Sequence, residues 1–265
     1  MRIENHRLVG EGVRHIESPN RGGTYAESEL DTIVIHFTAG SSVEGAIETL
    51  CSSERKVSAH LVIGRDGAVA QLLPFDVIGW HAGVSKWGER EGFNKYSIGF
   101  EIDNAGQLRE EDGKYISWFG QEYPEEEVVS GVHRNQTQLT YWHSYTATQL
   151  QTVEALCLLL IEEYGIKHIL GHEEIAPDRK VDPGPAFPLD AWRARLLPGP
   201  LALARRGKVQ ATRLNMRAAP NGQAEKVAGY LNQGTEVDIL EKRKGWYRVA
   251  VELEGWVAAR YVEEV

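Results

Sequence analysis

Residues 31–40, DTIVIHFTAG, leave this chain the fewest structural options. Thr32 to Phe37 are β-branched or apolar at nearly every position, and the run breaks at Gly40-Ser41. That composition and length describe a buried strand. Residues 43–53 read as helical, with Val43, Ile47 and Leu50 on one face. The stretch HLVIGRDGAVAQLLP reads as two strands joined at a tight turn, because Asp66-Gly67 supplies the positive φ that a hairpin requires. Residues 96–103, YSIGFEID, form a further strand. Ile98, Phe100 and Ile102 point one way, and Gly99, Glu101 and Asp103 the other.

The clearest helix covers about 147–164. Thr146 and Gln149 match a capping box, and Leu150, Val153, Leu156, Leu160, Ile161 and Tyr164 make its apolar face. Gly165 ends it as the C′ glycine. A short strand, His168 to Leu170, follows. Between the 96–103 strand and this helix lies a polar insertion, about 105–145, rich in acids and in aromatics such as Trp118, Phe119 and Trp142. It reads as a long loop or lid, a place where compact domains put function. After Trp192 the pattern changes. LLPGPLALA reads as a linker, and beyond it Asn221-Gly222, Gln233-Gly234, Lys244-Gly245 and Glu254-Gly255 punctuate short strands at the rhythm of a small all-β barrel. The expected division is 1–197, a 198–204 linker and 205–265. The fold class is α/β plus that barrel.

Charge separates the same two regions. From Arg205 onward there are 11 Lys and Arg against 8 Asp and Glu, and before it 18 against 30. The overall −9 argues against a general nucleic-acid binder, which needs a basic face to displace counterions from phosphates. Cys51 and Cys157 each sit in an apolar, helix-like run and read as buried thiols rather than a disulfide framework. The longest apolar stretch, Leu156 to Ile161, is too short to span a bilayer. No basic n-region and apolar h-region open the sequence, so the expectation is synthesis in the cytoplasm, with any outward route through lysis or a dedicated exporter.

Three residues stand out chemically. His36 ends a buried strand, His172 ends another, and Asp182 follows ten residues later in RKVDPGPAF. Two imidazoles and a carboxylate on separate loops suit Zn²⁺ with one position open to water, whose pKa then falls to about 7. The same donors also accept cobalt or manganese. By spacing alone the default reading is three unrelated residues, since a lone histidine at a strand end is more often a core or surface residue than a ligand. There is no HExxH or PCxxC pattern to suggest a zinc peptidase or a deaminase.

IVIHFTAG, VSAHLVIGRDGAVAQLLP, GWHAGVSKW, SIGFEID and GHEEIAPDRKVDPGPAF stand in the order and register of the type 2 N-acetylmuramoyl-L-alanine amidases. That family includes AmpD-like wall-recycling amidases, phage lysins and peptidoglycan recognition proteins. The resemblance covers about residues 30–192. It implies a central mixed β-sheet flanked by helices, and hydrolysis of the amide between muramic acid, or its anhydro form, and L-alanine. It implies zinc ligands at His36, His172 and Asp182. Glu101 matches the acid–base residue and Lys180 the cation that stabilises the oxyanion. His81, Asn104, Trp80 and Trp87 are the candidate substrate contacts, and His60 a packing residue. A recognition protein that binds the wall without cutting it is the alternative, although such proteins typically break one ligand position and all three are filled here.

The tail, LNMRAAP followed by GTEVDILE, GWYRVAV and GWVAARYVEE, resembles a bacterial SH3 domain, a module that docks wall hydrolases to peptidoglycan. Tyr230, Trp246, Tyr247, Trp256 and Tyr261 are its candidate groove aromatics. The expected partners are thus peptidoglycan or muropeptides, with no nucleic acid and no membrane insertion. The 105–145 insertion is placed to cover the cleft, selecting among sugar forms or peptide lengths, or holding an inhibited state.

Overall fold

The computed structural model describes residues 1–26, 29–197, 205–218, 221–243 and 246–251. The chain divides into two compact units, Met1–Leu197 and Pro198–Val265. In chain order the first unit runs β1 (Val13–His15), β2 (Thr32–Phe37), α1 (Val43–Cys51), β3 (Leu61–Ile63), β4 (Val69–Gln71) and β5 (Ser97–Ile102). There follow β6 (Gln107–Glu111), β7 (Lys114–Ile116), β8 (Glu122–Tyr123), β9 (Val128–Val132) and β10 (Leu139–His143). Then come α2 (Ala147–Tyr164), β11 (His168–Gly171), α3 (His172–Ile175) and α4 (Leu189–Leu196).

Six strands make a mixed sheet in the order β11-β2-β5-β3-β4-β1, parallel at every junction except the β3–β4 hairpin. Both faces are covered, which is why β2 is apolar almost throughout rather than alternating. On one face Ile33, Ile35, Ile98, Phe100 and Ile102 pack against Val153, Leu156 and Leu160 of α2. On the other, Val34 and Leu170 meet Ala82, Phe93 and Ile175, and Val62 and Ala70 meet Ile47 and Leu50 of α1. Each fully buried aliphatic side chain contributes about 1.5–3 kcal/mol relative to exposure. Capping fixes α2 at both ends. Gln149 N–H donates to Thr146 Oγ1 at 3.0 Å, Thr146 N–H donates to Gln149 Oε1 at 3.1 Å, and Gly165 turns left-handed at φ 66°. Gly67 of the hairpin has φ 81°, and a Cβ there would lie 2.7 Å from Thr152 Oγ1 on α2, so turn shape and close approach both call for glycine.

The insertion departs from the expected loop. It is a five-stranded antiparallel sheet in the order β8-β7-β6-β10-β9, with its own small core of Ala105, Leu108 and Tyr123 against Tyr115, Phe119, Val128 and Tyr141. The strands are two to five residues long, and three of them carry exposed charged residues: Arg109, Glu110 and Glu111 in β6, Lys114 in β7 and Glu122 in β8. Lys114 bonds Glu122 at 2.8 Å. A polar composition therefore conceals a sheet.

The second unit contains antiparallel strands: Arg205–Lys208, Glu236–Arg243 and Trp246–Ala250 in one sheet, Arg213–Arg217 and Lys226–Asn232 in another. Val209, Leu231 and Val237 form its described core. Tyr230 and Tyr247 are about half exposed, and the Arg213 guanidinium lies over the Tyr230 ring at 4.5 Å. Trp256 and Tyr261, and the expected linker, lie outside the described residues. Among the described residues no helix is long and apolar enough to cross a membrane.

Candidate metal centre and its groove

Strands β2 and β11 are parallel neighbours, so their carboxyl ends share one edge of the sheet. His36 is the penultimate residue of β2, and His172 directly follows β11. The chain returns past α3 to bring Asp182 to the same edge, where Glu173 N–H donates to the Asp182 carbonyl at 2.8 Å. His36 Nδ1, His172 Nδ1 and Asp182 Oδ2 converge, with separations of 2.9 Å between the imidazoles and 2.9 and 3.0 Å to the carboxylate. All three residues are buried and could hold a metal ion.

The outer hydrogen bonds decide which ring nitrogens carry protons. A carbonyl only accepts, and Arg179 Nη2, 3.4 Å from the same nitrogen, spends its two hydrogens on Ala82 O and Val84 O at 2.6 Å each, so His172 donates through Nε2 to Ala82 O at 3.2 Å and its Nδ1 is left with a lone pair. By the same reasoning His81 donates through Nε2 to Ser97 O at 3.1 Å. Its Nδ1 then accepts the His36 Nε2–H at 3.0 Å, and His36 Nδ1 also faces inward as a lone pair. Burial, and next the neighbouring His172, push the His36 imidazolium down to about 4, so the ring is neutral at neutral pH. For Asp182 burial acts upward, but the close approach of the His172 and His36 rings outweighs it and holds the carboxyl below its usual range. Three proton-free acceptors within hydrogen-bond distance repel one another unless a cation lies among them. The donor set fits a metal ion, as neutral imidazole and carboxylate commonly do.

Glu101 stands beside this cluster through strand register, since β5 pairs with β2 so that Glu101 lies opposite His36. Its strand neighbours Phe100 and Ile102 enter the core on the other face. Glu101 Oε2 is buried with no hydrogen-bond partner among the described residues. Burial, then the Asp182 charge, raise its carboxyl well above the ordinary value, and Lys180 opposes the rise. Lys180 lines the same groove, of about 580 Å³, with Glu101 and the three converging residues. An unsatisfied buried carboxylate beside a charged cluster is the mark of a group held ready for chemistry.

The family model described as N-acetylmuramoyl-L-alanine amidase matches residues 26–185, and the bacterial SH3 domain model matches 212–263. This chain belongs to the N-acetylmuramoyl-L-alanine amidase family. The 1,6-anhydro-N-acetylmuramyl-L-alanine amidase AmpD of Escherichia coli is 37% identical over 144 residues, which are 54% of this chain and 58% of that protein. The chain thus spans little more than half of that relative. The AmpD of Enterobacter cloacae is 34% identical over 215 residues, 74% of this chain and 95% of the relative. A crystal structure of a selenomethionine derivative of AmpD is 28% identical, covering 74% of this chain and 99% of the other at a TM-score of 0.49.

In this amidase-family unit the four candidate substrate contacts fall in different places. Trp80 lines the groove. His81 also borders it, but both its ring nitrogens are engaged, one with His36 and one with Ser97, so its polar atoms serve the protein. Asn104 is buried, donating through Nδ2 to the His143 and Ser144 carbonyls and accepting Gly106 N–H at Oδ1. It ties the ends of the insertion together and does not reach the groove. Trp87 packs on His168, ring centroids 5.0 Å apart, away from the groove lining. Local sequence could not separate these cases, because a polar side chain after a strand serves substrate and backbone equally well. His60 is fully buried as expected: its Nδ1 accepts Gly99 N–H at 3.0 Å and its Nε2 donates to Val77 O at 2.8 Å.

Two groups went unread. Trp118 and Phe119, from the insertion, line the same groove as Trp80. His133 and Arg134, also from the insertion, bond the buried Glu173 at 2.5 and 2.8 Å, and Gly184 N–H donates to the same carboxylate at 3.2 Å. Glu173 is the residue after His172, so the insertion is keyed into the loop that carries two of the three converging residues. The aromatic pair was visible in the sequence as a hydrophobic Trp-Phe in a polar stretch. The His133–Glu173 pair had no local signal.

Proposed function

We propose that this chain is a zinc amidase that hydrolyses the amide between N-acetylmuramic acid, or its anhydro form, and L-alanine in peptidoglycan or muropeptides. The observation that carries this reading is the convergence of three proton-free acceptors, His36 Nδ1, His172 Nδ1 and Asp182 Oδ2, beside the buried, unpartnered Oε2 of Glu101. Those three atoms would hold the zinc, which when bound supplies Lewis acidity toward a carbonyl and toward water.

Glu101 takes a proton from water as the water oxygen bonds to the lactyl carbonyl carbon. It then gives that proton to the L-alanine nitrogen as the C–N bond breaks. A group that accepts and then donates needs a pKa near working pH, and burial of Glu101 shifts it in that direction. Lys180 brings a positive charge to where the carbonyl oxygen becomes negative, a form of stabilisation commonly worth about 10²–10³ in rate per donor. His81 and the Ala82 carbonyl keep the two imidazoles in the orientation and tautomer that leave Nδ1 free. The SH3-like unit is assigned to holding cell-wall polymer.

The test is mass spectrometry of a muramyl-peptide digest with zinc-loaded wild type beside Glu101→Ala. Wild type is expected to release separate sugar and L-alanine-headed peptide, and the variant little or none. Binding without cleavage by wild type would replace the amidase by a recognition protein, and cleavage at any other bond would sink the assignment.

A further inference from the structure

Trp118 is the most exposed large aromatic among the described residues of the first unit, at 71%, yet it is held in place. Its Nε1–H donates to the Ala39 carbonyl, just past His36, at 2.8 Å, and Phe119 meets its ring edge-to-face with centroids 5.6 Å apart. The insertion's small core, which includes Phe119, sets the pair from below. An indole anchored by its edge leaves a face open, and this one lines the same groove as Glu101 and Lys180. Around it the wall is neutral: Phe37, Thr38, Ala39, Gly40 and Ser41 carry no charge. A stem peptide, with its carboxylates, would call for cations here. A pyranose ring has one apolar C–H face and hydroxyls at its rim, which matches an aromatic plane bordered by hydroxyl and backbone groups.

We propose that Trp118, presented by the insertion, is a saccharide platform that carries the muramic acid ring while the lactyl amide lies at Glu101. This rests on the amidase reading and names the end of the groove that takes the sugar. The insertion on this account is a wall that selects for glycan.

Two measurements keep the platform separable from the reaction. The first is saturation-transfer NMR of N-acetylmuramic acid with zinc-loaded full-length Glu101→Gln, with and without Trp118→Ala. Transfer to the sugar's ring protons in the single variant, and its loss in the double variant, supports the platform even if no cleavage is ever seen. Equal transfer in both overturns it. The second compares kcat/KM on a muramyl peptide with that on the lactoyl peptide lacking the sugar. Trp118→Ala is expected to cost the muramyl substrate about five- to tenfold more than the lactoyl one through KM, with Trp118→Phe in between. An equal loss on both substrates makes Trp118 a structural residue and refutes the proposal.

Discussion

Gly99 offers a sharp test of how the candidate metal centre is supported. It lies in β5, between Ile98 and Phe100, and the His81 ring rests on it. A Cβ at this position would lie 2.5 Å from His81 Cγ, 2.7 Å from Nδ1 and 2.8 Å from Cδ2. Ordinary contact begins near 3.4 Å, so in Gly99→Ala the ring must retreat by about 1 Å. That ring is rigid and held at both ends, to Ser97 O at 3.1 Å and to His36 Nε2 at 3.0 Å. Lengthening either bond by about 1 Å takes it out of hydrogen-bond range. Overpacking of this kind costs about 1–3 kcal/mol, or about 2–12 °C in Tm for a domain of this size. Losing the partner that orients a ligating histidine typically costs about 10–100-fold in metal affinity. Zinc affinity by chelator competition, with Tm measured on the metal-free protein, reads both. Gly99→Ala/His81→Ala should recover much of the Tm, because the obstructing ring is gone, but none of the zinc affinity. Wild-type affinity in Gly99→Ala, or recovery of affinity in the double variant, would refute the claim that His81 orients His36.

Two further outcomes are expected. Burial pushes the His60 imidazolium down to about 4, against 6.5 for the free side chain. The unfolded chain therefore binds one more proton than the native state between those values, and stability falls as pH drops from about 6.5 to about 4. The slope is about 1.4 kcal/mol per pH unit for each such histidine, and His60→Gln should lose one increment of it in urea titrations of the metal-free protein. An unchanged slope would count against a neutral buried His60. For the second unit, truncation after Leu197 should weaken retention on insoluble sacculi in a pull-down while sparing cleavage of soluble muropeptides. Equal loss on both would defeat a wall-docking role.

The parts of the site legible in the sequence were those written along single strands. The β2 run announced a buried strand ending in His36, and alternation in β5 placed Glu101 opposite Phe100 and Ile102. The blocks around His172 and Asp182 stood in recognisable register, and the structure brings these residues together. What stayed illegible depends on contacts between distant segments. His81 looks like a groove residue until the bonds to His36 and Ser97 are seen. Asn104 looks available until its amide is found on carbonyls some forty residues away. The insertion reads as a long loop or lid because short strands bearing Glu, Lys and Arg on a solvated face lack the apolar run that marks a strand.

The pairing of His133 and Arg134 with Glu173 bears on any attempt to shorten this protein. Asn104 fastens the roots of the insertion to each other, which invites its removal as a cassette. Excision would take away both side chains that bond the Glu173 carboxylate, leaving it buried with one backbone N–H, next to His172. An abandoned buried charge costs about 3–5 kcal/mol. A minimal version of this protein would therefore need a second change made at the same time, Glu173 to an uncharged residue, or the cut would be felt at the candidate metal site rather than at the surface.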